Sequence, residues 1–223
     1  MKLLALEMAT EACSVALYLD GEILARHEVA PRRHAELALP WIEALLAQAS
    51  LAKSQLDAIA CGRGPGAFTG VRLAVALTQG LALALDRPAI GISTLEALAW
   101  PAMQALEAED DAATRVLATI DARMAEVYLA EYYRDTTGVW LRQGEEIVGA
   151  PGSVNVSEAH AYHAVGTGLA AQNAALVHAL GTRLVNADAG ALPHAADVAR
   201  LAAAAYVRGE GVAAPEVLQP AYL

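Results

Sequence analysis

Residues 61–70 read CGRGPGAFTG, placing Gly62, Gly64, Gly66 and Gly70 beside Pro65 and the only phenylalanine of the chain, Phe68. DAIAC (57–61) before it is a short apolar run that ends like a strand. VRLAVALTQGLALAL (71–85) after it is long and apolar enough for a buried helix. Strand, glycine-rich loop and helix is the order in which helix N-terminal N–H groups receive an anion, or a backbone lets a partner come close. The two known anion patterns both fail. A Walker A loop needs a lysine after its last glycine, but Gly70 is followed by Val71 and Arg72. The dinucleotide fingerprint is broken because Gly62-Arg63-Gly64 runs into Pro65, Gly66 and Ala67. Thr69 could cap the helix in a plain turn, yet the glycines and the isolated Phe68 exceed what a turn requires, so a specific role is expected for the loop.

The rest of the chain argues against an anionic ligand. Its 25 Asp+Glu against 15 Lys+Arg leave a formal net charge of -10, which repels phosphate at long range; if tRNA or DNA is involved, a more basic partner is expected to carry most of that contact. With 56% hydrophobic and 18% charged residues over 223 positions there is material for a sizeable core. Cys13 and Cys61 lack paired spacing, so neither a disulfide framework nor a thiolate metal site is expected. The apolar N-terminal run is interrupted by Glu7, and helix 71–85 contains Thr78, Gln79 and Gly80 and falls short of the ~20 residues of a bilayer span. A cytoplasmic protein without a membrane segment is expected.

In chain order, strands are predicted at 3–8, 13–19 and 22–29, the last two joined by the hairpin signal Asp20-Gly21. A helix over about 33–49 carries Leu37, Trp41, Leu45 and Leu46 on one stripe. The strand at 57–61, the glycine loop, helix 70–85, a strand at 89–92 and a helix from Ser93 or Thr94 to about 107 complete a first half. Beyond a polar linker (107–114) the pattern restarts with strands at 114–120, 126–133, 139–143 and 161–166, then helices at 168–180 and about 193–208. A strand meander with an acid and then helices, occurring twice, predicts two duplicated α/β halves, residues 1–107 and 108–223, the second shorter and less regular.

Few residues offer chemistry. Glu7 and Asp121 end the first strand of each half, where actin-like and sugar-kinase folds keep acids near a metal–phosphate site. Neither EMATEAC nor DARMAE supplies a glycine for a phosphate hairpin, which argues against tight ATP binding. The histidines show no HExxH or HxxxH, so no metal site is expected, and the cysteines read as core thiols. Arg32, Arg33 and His34 form a small basic cluster. Helix 70–85 is apolar almost all round, with Ala74, Ala76, Gly80 and Ala84 permitting close helix approach. Paired with the stripe on helix 33–49, it predicts half of a four-helix interface. The candidate partner-facing residues are Arg33, His34, Leu37, Trp41, Leu45, Phe68, Thr69, Val71, Arg72, Val75 and Gln79, with the loop residues Gly62, Arg63, Gly64, Pro65, Gly66 and Gly70 beside them.

Taken together, TEACSVALYLDG (10–21), GRGPGAFTGVRLA (62–74), QGLALAL (79–85), GISTLEALA (91–99) and ATIDARMAEVYLAEY (118–132) resemble the TsaB (YeaZ) family, bacterial accessory subunits of tRNA threonylcarbamoyladenosine synthesis. The resemblance covers nearly the whole chain. It implies two tandem actin-like, ribonuclease H-like subdomains without catalysis or cofactor, Glu7 and Asp121 being vestigial nucleotide-site acids. It also implies a heterodimer with the paralogue TsaD, which carries metal-binding histidines absent here, with TsaE as a further partner and a homodimer in isolation. The chain departs from the family in having Glu7-Met8 where Asp-Thr is usual. It also stops at Leu223 where members often continue, so tail contacts are expected to be absent. The rival readings are an active actin-like ATPase or small-molecule kinase using Glu7, Asp121 and the glycine loop, and a metallopeptidase holding zinc.

Overall fold

The computed structural model describes residues 1–109, 111, 113–154, 156–157 and 159–223. They form two compact units. The first comprises residues 1–97 and 193–222, and the second residues 98–192 with Leu223. The expected division at 107/108 is therefore corrected in two places. The boundary falls inside a helix, after Ala97, and residues 193–222 return to the first unit, because Val198, Ala199, Leu201 and Ala202 bury there against sheet strands.

In the first unit β1 (Lys2–Glu7), β2 (Ala12–Leu19) and β3 (Glu22–Val29) form an antiparallel meander. Asp20 and Gly21 both take positive φ, as a two-residue hairpin turn requires. Beyond α1 (His34–Gln48), β4 (Ala58–Gly62) adds parallel to β1. After α2 (Phe68–Leu85), β5 (Ala89–Ile92) adds parallel to β4, and α3 (Thr94–Ala108) follows. Side chains alternate across this sheet. Leu4, Leu6, Cys13, Val15, Leu17, Ile59 and Cys61 face a core shared with Ile42, Leu45 and Leu46 of α1 and Ala74, Val75 and Ala82 of α2. Each large aliphatic side chain buried there stabilises by about 1.5–3 kcal/mol. Burial pushes the Cys13 thiol up to about 11 and the Cys61 thiol up to about 12, so both behave as inert core groups.

In the second unit β6 (Arg115–Arg123), β7 (Glu126–Arg134) and β8 (Trp140–Gly149) form another meander. Then β9 (Tyr162–Val165) lies parallel to β6, α4 (Ala171–Leu180) follows, and β10 (Leu184–Asp188) lies parallel to β9. The sheet orders are β5-β4-β1-β2-β3 and β10-β9-β6-β7-β8, so the two units share one topology. This unit is less regular, with register shifts in β7–β8 and β9–β10 and left-handed φ at Gln172, Asn173 and Ala174 where α4 begins. Arg115 pairs with buried Glu131, which also accepts from Tyr162 Oη at 3.3 Å.

α5 (Ala195–Arg208) returns to the first sheet, its N–H at Ala195 donating to Ser14 Oγ and its capping His194 ring stacked on His27 at 4.6 Å. β11 (Val212–Ala213) then pairs antiparallel with β5. Neither β10 nor β11 was expected from the sequence. The first is exposed along most of its length and shows no apolar–polar alternation, and the second is two residues long. The linker expected at 107–114 falls partly outside the described residues.

Candidate functional site

The glycine loop is seated against the end of β1. Its closeness is a matter of missing side chains: a Cβ on Gly62 would overlap Glu7 Oε2, one on Gly66 would meet the Ala9 carbonyl, and one on Gly70 would overlap the Met8 carbonyl oxygen. Ala67 N–H donates to Ala9 O at 2.7 Å, pinning the loop to the β1–β2 turn. At Gly64, φ is +100°, a conformation side chains disfavour, and its carbonyl accepts from Thr94 N–H at 2.9 Å. Arg63 N–H reaches Ile92 O at 2.8 Å.

Under this loop lies Glu7, 1% exposed. Its carboxylate accepts from Ala9 N–H at 2.7 Å and from the buried Thr94 hydroxyl at 3.3 Å. Those bonds favour the ionised form, but loss of water outweighs them and pushes the carboxyl up to about 7. Glu7 is thus enclosed within the first unit, away from solvent. The sequence marked Thr94 only as a possible helix start, since its contact with Glu7 depends on a carboxylate eighty-seven positions away.

Asp121 stands differently. Its side chain is 36% exposed, its Oδ1 accepts from Arg123 N–H at 2.8 Å, and its own N–H donates to Thr167 Oγ1 at 3.2 Å. The register shows that the two acids do not hold equivalent places. Leu6 pairs with Cys61, so Gly62 falls beside Glu7. In the second unit Ala118 pairs with Val165, so the corresponding Gly166 falls beside Thr119, two residues before Asp121. Among the described residues no group of three or more His, Cys, Asp or Glu side chains is placed to hold a metal ion.

The expected partner face is partly redrawn. Leu45, Val71 and Val75 are 1%, 2% and 4% exposed and belong to the first unit's own core, so they cannot meet a second protein. Leu37 and Trp41 pack against that same core from its margin. The stripe on α1 is the inward face of an amphipathic helix on a sheet, and spacing alone does not distinguish that from an interface. Arg33 is paired with Glu28 at 2.9 Å and with Glu36 at 3.6 Å, while His34 Nε2 lies 3.0 Å from Thr10 O. Gln79 donates to Leu218 O at 2.9 Å.

What remains open is the outer side of α2, where Phe68 (58%), Thr69, Arg72, Ala76, Gly80, Leu83 (71%) and Ala84 are exposed. Starting at Phe68, the helix has 18 residues and a mean hydropathy of 1.5, enough by length and composition alone to cross a membrane. That differs from the shorter helix expected. Its opposite face, Val71, Ala74, Val75, Thr78 and Ala82, lies buried in the first unit. Tyr222, a residue the sequence did not mark, joins the exposed side through its contacts with Phe68 and Arg72.

Two units with one strand order, a meander followed by two parallel strands, define an actin-like, ribonuclease H-like protein. A family model described as TsaD, tRNA N6-adenosine threonylcarbamoyltransferase, matches residues 26–222. The TsaB protein of Haemophilus influenzae, named for tRNA threonylcarbamoyladenosine biosynthesis, is 38% identical over 100% of this chain and 93% of its own length. TsaB of Escherichia coli is 47% identical over 68% of this chain, and the match spans 63% of that relative's length. The structure of YeaZ from Pseudomonas aeruginosa superposes with a TM-score of 0.85 at 46% identity, over 100% of this chain and 99% of that one. The chain belongs to the family that this model describes, and within it to the TsaB (YeaZ) proteins.

Proposed function

We propose that this chain is a non-catalytic subunit of tRNA threonylcarbamoyladenosine biosynthesis. It binds and activates a TsaD transferase acting on the adenosine beside the anticodon of ANN-decoding tRNAs. The observation that carries this reading is the contrast across the first unit: the glycine loop closes over Glu7, while the outer side of α2 keeps Phe68 and Leu83 in solvent. A loop packed onto its own strand end supplies no phosphate cradle, and an exposed apolar helix face with small residues at 76, 80 and 84 favours helix–helix contact. In this reading the protein acts in the cytoplasm, forms a homodimer through the α2 face when alone, and meets TsaE and tRNA only through the assembled complex.

The test is size-exclusion chromatography with light scattering of the chain alone and mixed with TsaD of the same organism. A heterodimer replacing the homodimer supports the reading; two unassociated proteins overturn it. ATP turnover by the isolated chain, abolished by Asp121→Asn, would instead establish an active ATPase.

A further inference from the structure

Resting on that reading, we infer that Arg72 is the anchor by which the α2 face recognises a carboxylate of its protein partner, with Phe68 and Tyr222 holding it in position. The Arg72 guanidinium carbon lies 3.6 Å from the centroid of the Phe68 ring and 5.5 Å from that of Tyr222. Its Nε donates to Tyr222 Oη at 2.7 Å. The two rings stand 6.1 Å apart at 36°, so the guanidinium is stacked on one aromatic and hydrogen-bonded to the other. That leaves the two terminal nitrogens, to which no acceptor is bonded among the described residues. An exposed arginine on a free stem loses rotamer freedom when it binds; here that ordering is already complete, and a planar fork is offered outward.

Tyr222 is itself held. Leu218 is buried in the core beneath α2, Gln79 donates to its carbonyl, and Ala221 N–H donates to Arg63 O at 2.7 Å. The last residues of the first unit therefore strap across the start of α2 and deliver the phenol oxygen to Arg72. Removing this strap would leave the arginine charge in place but release its orientation.

Three considerations select a protein carboxylate. A paired donor fork with parallel N–H groups matches a carboxylate bidentately. A nucleic-acid backbone is gripped by several cations along its path, whereas this chain carries a net charge of -10. A single arginine framed by two partly exposed aromatic rings has the composition of a protein-interface anchor.

The experiment measures, by calorimetry, the affinity of the full chain for TsaD of the same organism, using wild type, Arg72→Lys, Arg72→Met and Tyr222→Phe, each first checked by thermal melting. Arg72 is exposed and Tyr222→Phe removes only one hydroxyl, so the fold is expected to survive. Both Arg72 variants should weaken binding about tenfold or more, because lysine loses the fork and methionine loses the charge. Tyr222→Phe should weaken it about threefold by freeing the guanidinium. Wild-type affinity in Arg72→Met would overturn the inference in favour of apolar contact alone, and wild-type affinity in Arg72→Lys would overturn the fork geometry. If wild type itself fails to bind TsaD, the proposed function falls, an outcome distinct from binding that ignores Arg72.

Discussion

The end of β1 and the end of β6 are built by the same topology and finished in opposite ways. In the first unit the hairpin opens after Glu7, and the glycine loop after β4 settles into the gap. In the second, β6 and β7 continue pairing to Arg123 and Glu126, and a tight turn with left-handed Met124 and Ala125 leaves Met124 93% exposed. The parallel strand places a glycine beside Glu7 in one unit and beside Thr119 in the other. As a result one acid is entombed and the other stands two residues further out with an arginine for company. A duplicated fold therefore does not duplicate a site: the loop leaving the first parallel strand decides whether an acid meets solvent or packing.

The largest effect that could break this comparison comes from the glycines. Gly70→Ala would drive a methyl group into the Met8 carbonyl, a backbone atom that cannot turn aside, and should cost about 3 kcal/mol or more in urea denaturation. Gly168→Ala meets first the Thr119 hydroxyl, a side-chain group, and should cost about 1–2 kcal/mol. Equal losses at the two positions would show that both loops, the second of which also seats Gly166 on the Thr119 carbonyl, pack equally tightly on their strand ends.

Next comes Glu7. Its carboxyl is raised from 4.5 to about 7, so the folded state holds a proton that the unfolded chain releases. The stability this contributes is complete below about pH 4.5 and is lost as pH rises through 7. Glu7→Gln keeps an acceptor for Ala9 N–H and removes the buried charge. It should leave the protein more stable than wild type above pH 7, by on the order of 2–3 kcal/mol, and flatten the pH dependence between 4.5 and 7. Matched melting curves across pH 4–8 check this, and parallel curves for the two proteins would show that Glu7 is not desolvated.

The smallest effect is expected at Asp121. Its carboxylate is partly exposed and its contact with Arg123 at 3.5 Å is a surface pair, so Asp121→Asn should change stability by less than about 0.5 kcal/mol. A loss as large as that at Gly70 would mean that the second turn is also a structural keystone.

Most elements were legible along the chain. Asp20-Gly21 announced the first hairpin, and the apolar runs at 57–61 and 89–92 announced strands, because local turn chemistry and burial leave marks within a few residues. The functional surface was less legible. The spacing of Leu37, Trp41 and Leu45 is that of any helix with one apolar side. Val71 and Val75 looked like Leu83 in a helix apolar all round, yet they face the core while Leu83 is 71% exposed.

By itself, then, the amino-acid order determined the repeated strand meanders, the strand–loop–helix at 57–85, the acidic balance and the motifs shared with TsaB proteins. All of these are local or compositional properties. Only the tertiary structure decided that the glycines admit Glu7 and the Met8 carbonyl, and that the last helix returns to the first sheet. It alone decided that Tyr222 reaches Arg72 across 150 positions. The reason is physical. Periodicity reports which side of an element is apolar, whereas close approach, desolvation and the orientation of a charged group depend on what chain folding brings against that side.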